Sequence, residues 1–155
     1  VCAVFIHPEL SCEIIADGIH IDSEIIKFLL TCKSLDKVVL VTDALKPTKQ
    51  KHGPLLANGE EVYLDKCFYR KSDNVIAGSA LTMIDSVKNI VSYGFRLEEA
   101  IHMASTNPAR IMRQDNLGVI APGYDADLVM LSDKLKVKYT IIKGKIYEKG
   151  KLVCA

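Results

Sequence analysis

The chain has almost no excess charge, with 20 Lys and Arg set against 19 Asp and Glu over 155 residues. It shows no broad basic field that could condense onto a phosphate backbone, so nucleic acid is not an expected partner. It also lacks any uninterrupted apolar run near the ~18 residues that a membrane-spanning helix needs, so no membrane is expected either. No Cys-x-x-Cys, His-x-His, His-Glu-x-x-His or Gly-rich phosphate loop occurs, and the histidines His7, His20, His52 and His102 are scattered. No complete metal site can therefore be assembled by inspection, and no metal ligand is nominated. Repeats and low-complexity stretches are absent. What is present, 49% hydrophobic and 25% charged residues, describes a folded chain whose partner is a small molecule.

Cysteine usage is uneven: Cys2, Cys12, Cys32, Cys67 and Cys154 are odd in number and irregularly spaced. That pattern suits reduced, mostly buried thiols in a cytoplasmic protein better than a disulfide framework. The opening Val1-Cys2-Ala3-Val4-Phe5-Ile6 has neither a charged leader nor a small-residue cleavage site, and reads as a cut inside a domain.

Hydrophobic periodicity predicts βα units in the first part of the chain. Cys12–Ala16 reads as a strand ending at Asp17-Gly18-Ile19-His20, and Asp22 can cap a helix over Ser23–Lys33 with Ile25, Ile26, Leu29 and Leu30 as its buried stripe. Lys37–Ala44 is a β-branched run apolar on both sides, as a central parallel strand requires, and Asp43 falls just past its end. From Lys46 to Lys51 the chain turns polar and basic, and Asn58-Gly59 announces one or two hairpins through Tyr69. After Ile76-Ala77-Gly78-Ser79 the spacing of Leu81, Ile84, Val87 and Val91 predicts a helix that Gly94 stops, and a second helix follows over Leu97–Ser105. Asn107-Pro108 then supplies an N-cap with proline at the first helical position, starting a further short helix through Ile111 and Met112. From Gly118 onward, short strands at turn-punctuated intervals predict a separate small β module over 118–155, with its lysines on the wet side.

Three stretches following strands are placed where α/β folds gather their chemistry. In the first, His20 beside a Gly can serve as hydrogen-bond donor, metal ligand or base, or can simply belong to a capping loop; Asp17 and Asp22 read as caps and turn formers. In the second, Asp43 after a buried strand can bind a metal or move protons, although an Asp in this place also initiates turns. In the third, read as a loop before a helix N-terminus, the small residues of Ile76–Met83 can expose backbone N–H groups to an anionic or hydroxyl-rich ligand.

Taken in order, Asp17-Gly18-Ile19-His20, Val41-Thr42-Asp43-Ala44, Ala77-Gly78-Ser79-Ala80-Leu81-Thr82-Met83, Asn107-Pro108-Ala109-Arg110, Leu117-Gly118-Val119-Ile120 and Gly123 through Asp127-Leu128-Val129 resemble the C-terminal part of the N-acetylglucosamine-6-phosphate deacetylases. These are metal-dependent amidohydrolases, and the resemblance runs nearly from end to end. It implies an α/β fold: residues 1–117 as the C-terminal portion of a (β/α)8 TIM-type barrel, and 118–155 as strands of a small β-sandwich. It further implies loss of the acetyl group from N-acetylglucosamine 6-phosphate, a sugar phosphate, with Asp43 catalytic and His20, Ile76, Ala77 and Gly78 on the substrate. The family's divalent metal, zinc or iron, would be held by a Glu and two His upstream of Val1, so this chain alone is expected to be inactive. A homo-dimer is implied for the full-length enzyme. A cyclic-amide hydrolase and a non-enzymatic assembly module are the competing expectations.

Overall fold

The computed structural model describes residues 2–50 and 52–154. Val1, where the chain opens, and Lys51, the last residue of the basic stretch, lie outside them.

A short helix α1 (Cys2–Ile6) leads to β1 (Cys12–Ile15), which pairs in parallel with β2 (Val38–Val41) through Cys12↔Val38 to Ile15↔Val41. Between them runs α2 (Ser23–Cys32), whose first turn is capped as expected: the Asp22 carboxylate accepts from the Glu24 N–H at 2.8 Å. Ile26 and Leu30 are buried, but Ile25 is 53% exposed, so the stripe is narrower than the periodicity suggested. Ile25 lies about 100° around the helix from Ile26, on the flank of the face that meets the sheet. Past α2, the buried Lys33 donates its ammonium to the carbonyls of Val4 and His7, both at 2.7 Å, and so ties down the end of α1.

After β2 come β3 (Leu56–Ala57), β4 (Glu60–Leu64), β5 (Phe68–Arg70) and β6 (Ile76–Gly78), an antiparallel meander with the Asn58-Gly59 turn between β3 and β4. The stretch Ile76–Gly78, expected as loop, is thus a strand. Its backbone is claimed by β5 on one side, and the next residue, Ser79, makes a parallel bridge to Ala44. The chain past β6 therefore continues the β1–β2 layer as a third parallel member.

Helix α3 (Met83–Ser92) covers this layer with Val87 and Ile90, and its Asn89 amide donates to the Ala16 carbonyl at 2.8 Å. The Phe95 N–H returns to the Ile90 carbonyl around Gly94, the expected stop. Helix α4 (Leu97–Ile101) does not end before Asn107: it widens into one π-type turn over His102–Thr106 and runs on as α5 (Asn107–Ile111). Asn107 is accordingly no N-cap. The wider turn absorbs Pro108, which has no N–H to give. The fully buried Asn107 amide instead donates to the carbonyls of Leu35 and Val38, both at 2.7 Å, and Arg110 donates to the Asn107 side chain and the Asp36 carbonyl. Asn-Pro-Ala-Arg is in this chain a clamp on the entry to β2.

The last part is a second antiparallel meander, β7 (Leu128–Leu131), β8 (Val137–Ile142), β9 (Lys145–Glu148) and β10 (Lys151–Cys154). Its strands fall where the turn residues placed them, yet none of its residues is fully buried; the buried core is drawn from residues up to Asn107. The cysteines also depart from expectation: Cys67 is buried and Cys12 half-buried, but Cys32 and Cys154 are exposed. These four are free thiols, and the side chain of Cys2 lies outside the described residues. Among the described residues no helix is long and apolar enough to cross a membrane.

Candidate active site

Parallel pairing sets the three stretches singled out in the sequence side by side. Asp17 and Asp43 each stand two residues past the last paired residues, Ile15 and Val41, and Ser79 adjoins Ala44 through the parallel bridge. The Asp17–His20 loop, Asp43 and the Ser79–Thr82 segment thus meet at one end of the layer, the carboxyl end of its strands, where ligands bind in α/β sheets.

The first loop is closed by its own carboxylate. Asp17 Oδ1 accepts the N–H groups of Ile19 and His20 at 2.9 and 3.0 Å, and Oδ2 pairs with His20 Nδ1 at 2.7 Å. Its side chain is only 8% exposed. Burial works against the charge, yet the backbone donors and the His20 ring together hold the Asp17 carboxyl below its ordinary value. With the proton on Nδ1 directed to Asp17, the other ring nitrogen faces away, and His20 Nε2 is buried with no hydrogen-bond partner among the described residues. Gly18 has φ 72°, and a Cβ there would come 3.3 Å from the Tyr93 hydroxyl of α3. Burial, followed by the charge of Asp17, pushes that hydroxyl's pKa up. Asp17 is thus the turn former the sequence suggested, and also the partner of the histidine.

Asp43 is the opposite case. It is exposed, no described side chain bonds its carboxylate, and its backbone sits at φ 46°. Its carbonyl accepts the Ser79 N–H at 2.8 Å, and the Ser79 hydroxyl donates to the carbonyl of Thr42. Of the expected substrate contacts, Ile76 is 39% exposed and Ala77 half-buried, whereas Gly78 is buried. A Cβ on Gly78, at φ 151°, would stand 2.9 Å from the Asp43 carbonyl and 2.7 Å from the Leu45 side chain. The absent side chain of Gly78 therefore makes room for the Leu45 side chain and the Asp43 carbonyl.

His52 is exposed in the basic loop, and His102 Nε2 donates at 2.9 Å to Asp36, which stands just before the start of β2, so neither joins this end of the layer. Among the described residues no three of His, Cys, Asp and Glu come together as a metal site. The side chains present do not by themselves fit a divalent ion. Sequence reasoning missed Ser79, Asn89 and Tyr93 as supports of the two loops. Only the Asp-x-x-His spacing gave any signal of the pairing at Asp17; a buried serine after a glycine gives none.

The sequence pattern of the Amidohydrolase family matches residues 1–147. The putative N-acetylgalactosamine-6-phosphate deacetylase of Escherichia coli (strain K12) is 36% identical over 136 residues, covering 86% of this chain and 81% of that protein. The N-acetylglucosamine-6-phosphate deacetylase of Lysinibacillus sphaericus is 31% identical over 144 residues, covering 92% of this chain but only 37% of that enzyme. The crystal structure of N-acetylglucosamine-6-phosphate deacetylase from Thermotoga maritima superposes with a TM-score of 0.86 at 29% identity, covering 95% of this chain and 41% of that one. The chain therefore spans well under half the length of these last two, and with its α/β layer, its strand-end aspartates and this matched pattern it belongs to the amidohydrolase family.

Proposed function

We propose that this chain forms the part of an N-acetylglucosamine-6-phosphate deacetylase that carries the proton-transfer group and one wall of the sugar site. The observation that carries the reading is Asp43: an exposed carboxylate, free of described side-chain partners, rigidly seated by its backbone where the parallel strands end. Such a group can take a proton from the attacking water and return it to the departing amine nitrogen, leaving acetate and glucosamine 6-phosphate. His20, with its buried and unpartnered Nε2, and Ile76, Ala77 and Gly78 along β6 are the proposed substrate contacts. A substrate polar group reaching Nε2 would relieve a nitrogen whose isolation costs roughly 1–3 kcal/mol.

The same reading makes residues 1–117 the closing units of a (β/α)8 barrel and 118–155 part of a small β-sandwich in a cytoplasmic homo-dimer. The parallel β1–β2–Ser79 layer and the uncovered apolar residues of the last meander, such as Met130 and Leu152, support it. The divalent metal, zinc or iron, is then supplied with ligands by residues outside this chain. The 36% identity to a relative named for N-acetylgalactosamine 6-phosphate favours that epimer as the second reading.

Acetate release from both hexosamine phosphates, and ring opening of a cyclic amide, should be measured with this chain alone and with the protein that joins it to the segment bearing the metal ligands. Release by the joined protein and none by the chain alone is expected. Turnover of the cyclic amide but neither sugar phosphate would overturn the reading.

A further inference from the structure

We infer that Ser79 is the positioning residue of Asp43, setting the direction of its carboxylate without touching the reacting atoms. The inference rests on the proposed role of Asp43 and deepens it. Asp43 holds a left-handed backbone conformation, φ 46°, which is uncommon for a non-glycine residue although aspartate adopts it more readily than most, so contacts that fix it matter for where its side chain starts. Its own side chain does not fix it, because it has no described hydrogen bond. Ser79 does so from three directions. Its N–H donates to the carbonyl of Asp43 at 2.8 Å, its hydroxyl donates to the carbonyl of Thr42, and its carbonyl accepts from the N–H of Leu45 at 3.2 Å. One residue thus grips the chain just before, at and just after the aspartate.

The hydroxyl is used twice, since Ser79 Oγ also accepts the Leu81 N–H at 2.9 Å, and the side chain is fully buried. A serine hydroxyl combines a donor with acceptor lone pairs; alanine has neither, and a cysteine thiol is a weak substitute for both. Removing it leaves the Thr42 carbonyl and the Leu81 N–H without partners on the two sides of the Asp43 turn. Glycine at 78 completes the arrangement, because the Asp43 carbonyl occupies the place a Cβ would take. Serine here has a local structural use as well, but a residue that merely closed a strand end would change stability and leave the activity of the folded protein alone. A misdirected Asp43 loses turnover at unchanged substrate affinity.

The test compares Ser79→Ala and Ser79→Cys with the native residue by two measurements. In the 155-residue chain, NMR reads the Asp43 intraresidue amide-to-Hα Overhauser effect, which is strong at positive φ, and the exchange rate of the Leu81 amide. The expected result is a weakened Overhauser effect and exchange roughly tenfold faster in Ser79→Ala, with Ser79→Cys intermediate. In the joined, metal-loaded protein, kcat for the hexosamine phosphate should fall roughly tenfold or more while KM stays within about twofold. An unchanged Overhauser effect in both variants, or a kcat loss no larger than the loss of folded protein, overturns the inference. Should Ser79→Ala not fold, the same two measurements on Ser79→Cys decide the matter by the same criteria. A native protein that deacetylates neither hexosamine phosphate refutes the proposed function instead, and the NMR reading then decides on its own whether Ser79 sets the Asp43 backbone.

Discussion

Asp17 and Asp43 occupy equivalent places, each two residues beyond the paired ends of neighbouring parallel strands, and they could hardly be used more differently. The Asp17 carboxylate is nearly buried and spends its oxygens on two backbone N–H groups and one imidazole. The Asp43 carboxylate faces outward with no described partner, while its main chain does all the holding. Saturating a carboxylate with donors makes it a structural element whose proton stays off; leaving one bare on a fixed backbone keeps it available to exchange a proton. The contrast teaches that the strand-end position is common property, and that the hydrogen bonds around it decide the role.

The largest expected effect separates the two roles directly. Asp43→Asn should lower turnover of the joined protein by roughly 10²–10⁴-fold, the usual contribution of a general acid-base group, with little change in melting temperature or metal content. Acetate release and thermal unfolding measured together check this. Native turnover in the variant, or a marked loss of stability, would mean that Asp43 is another Asp17. Next in size, His20→Ala should weaken binding of the hexosamine phosphate roughly ten- to a hundredfold, as loss of a hydrogen bond to a charged group does. Elemental analysis should find the metal unchanged. Metal lost along with the imidazole would make His20 a ligand and break the division of labour.

Legibility in the sequence differs between the strand ends and what stands behind them. Asp22, the β-branched run of β2, the Asn58-Gly59 turn and the four short strands after Gly118 are legible because capping, two-sided apolarity and turn chemistry are local. Ile76–Gly78 reads as loop because its strand character comes from pairing with Phe68 and Tyr69, eight or so residues back, which no local period records. Asn107 reads as a cap because nothing nearby shows that its amide serves carbonyls about seventy positions away. The candidate site is readable as residue types, Asp43 and His20, but not as a geometry. The grip of Ser79 on residues 42 to 45 exists only once two distant strand ends lie together.

Asp43, as the aspartate held by its main chain, should also feel a change at Gly78. Gly78→Val places a Cβ within 3.0 Å of the Asp43 carbonyl and of Leu45, at a φ that valine resists. The neighbours are backbone and a packed side chain, so a cost of about 1–3 kcal/mol is expected, read as a lower urea midpoint for unfolding of the chain. A variant of native stability would show that the strand end is slack and that Asp43 is not rigidly seated.

The smallest effect belongs to Asp17 and appears as a pH dependence. Its carboxyl is held below the ordinary 3.8 in the folded chain, whereas the unfolded chain titrates near the ordinary value. The unfolded state therefore binds its proton first as the medium is acidified, and protons favour unfolding. The stability this carboxylate contributes is fully present above the unfolded value and is lost as pH falls through the lower folded one. Asp17→Asn retains an acceptor for the N–H groups of Ile19 and His20 but turns a donor toward His20 Nδ1, so the imidazole must carry its proton on Nε2 instead. At neutral pH the variant should be less stable by about 1 kcal/mol, the net worth of a hydrogen bond. That gap should narrow as pH falls below the ordinary Asp value and close once it has passed the lower folded one, where the native residue is protonated too. Urea unfolding of both proteins across that range, with the imidazole nitrogen shifts of His20 read at neutral pH, measures both halves of the claim. A gap that stayed constant through the acid range would show that the Asp17 charge contributes nothing, and that its hydrogen bonds to Ile19 and His20 work equally well without it.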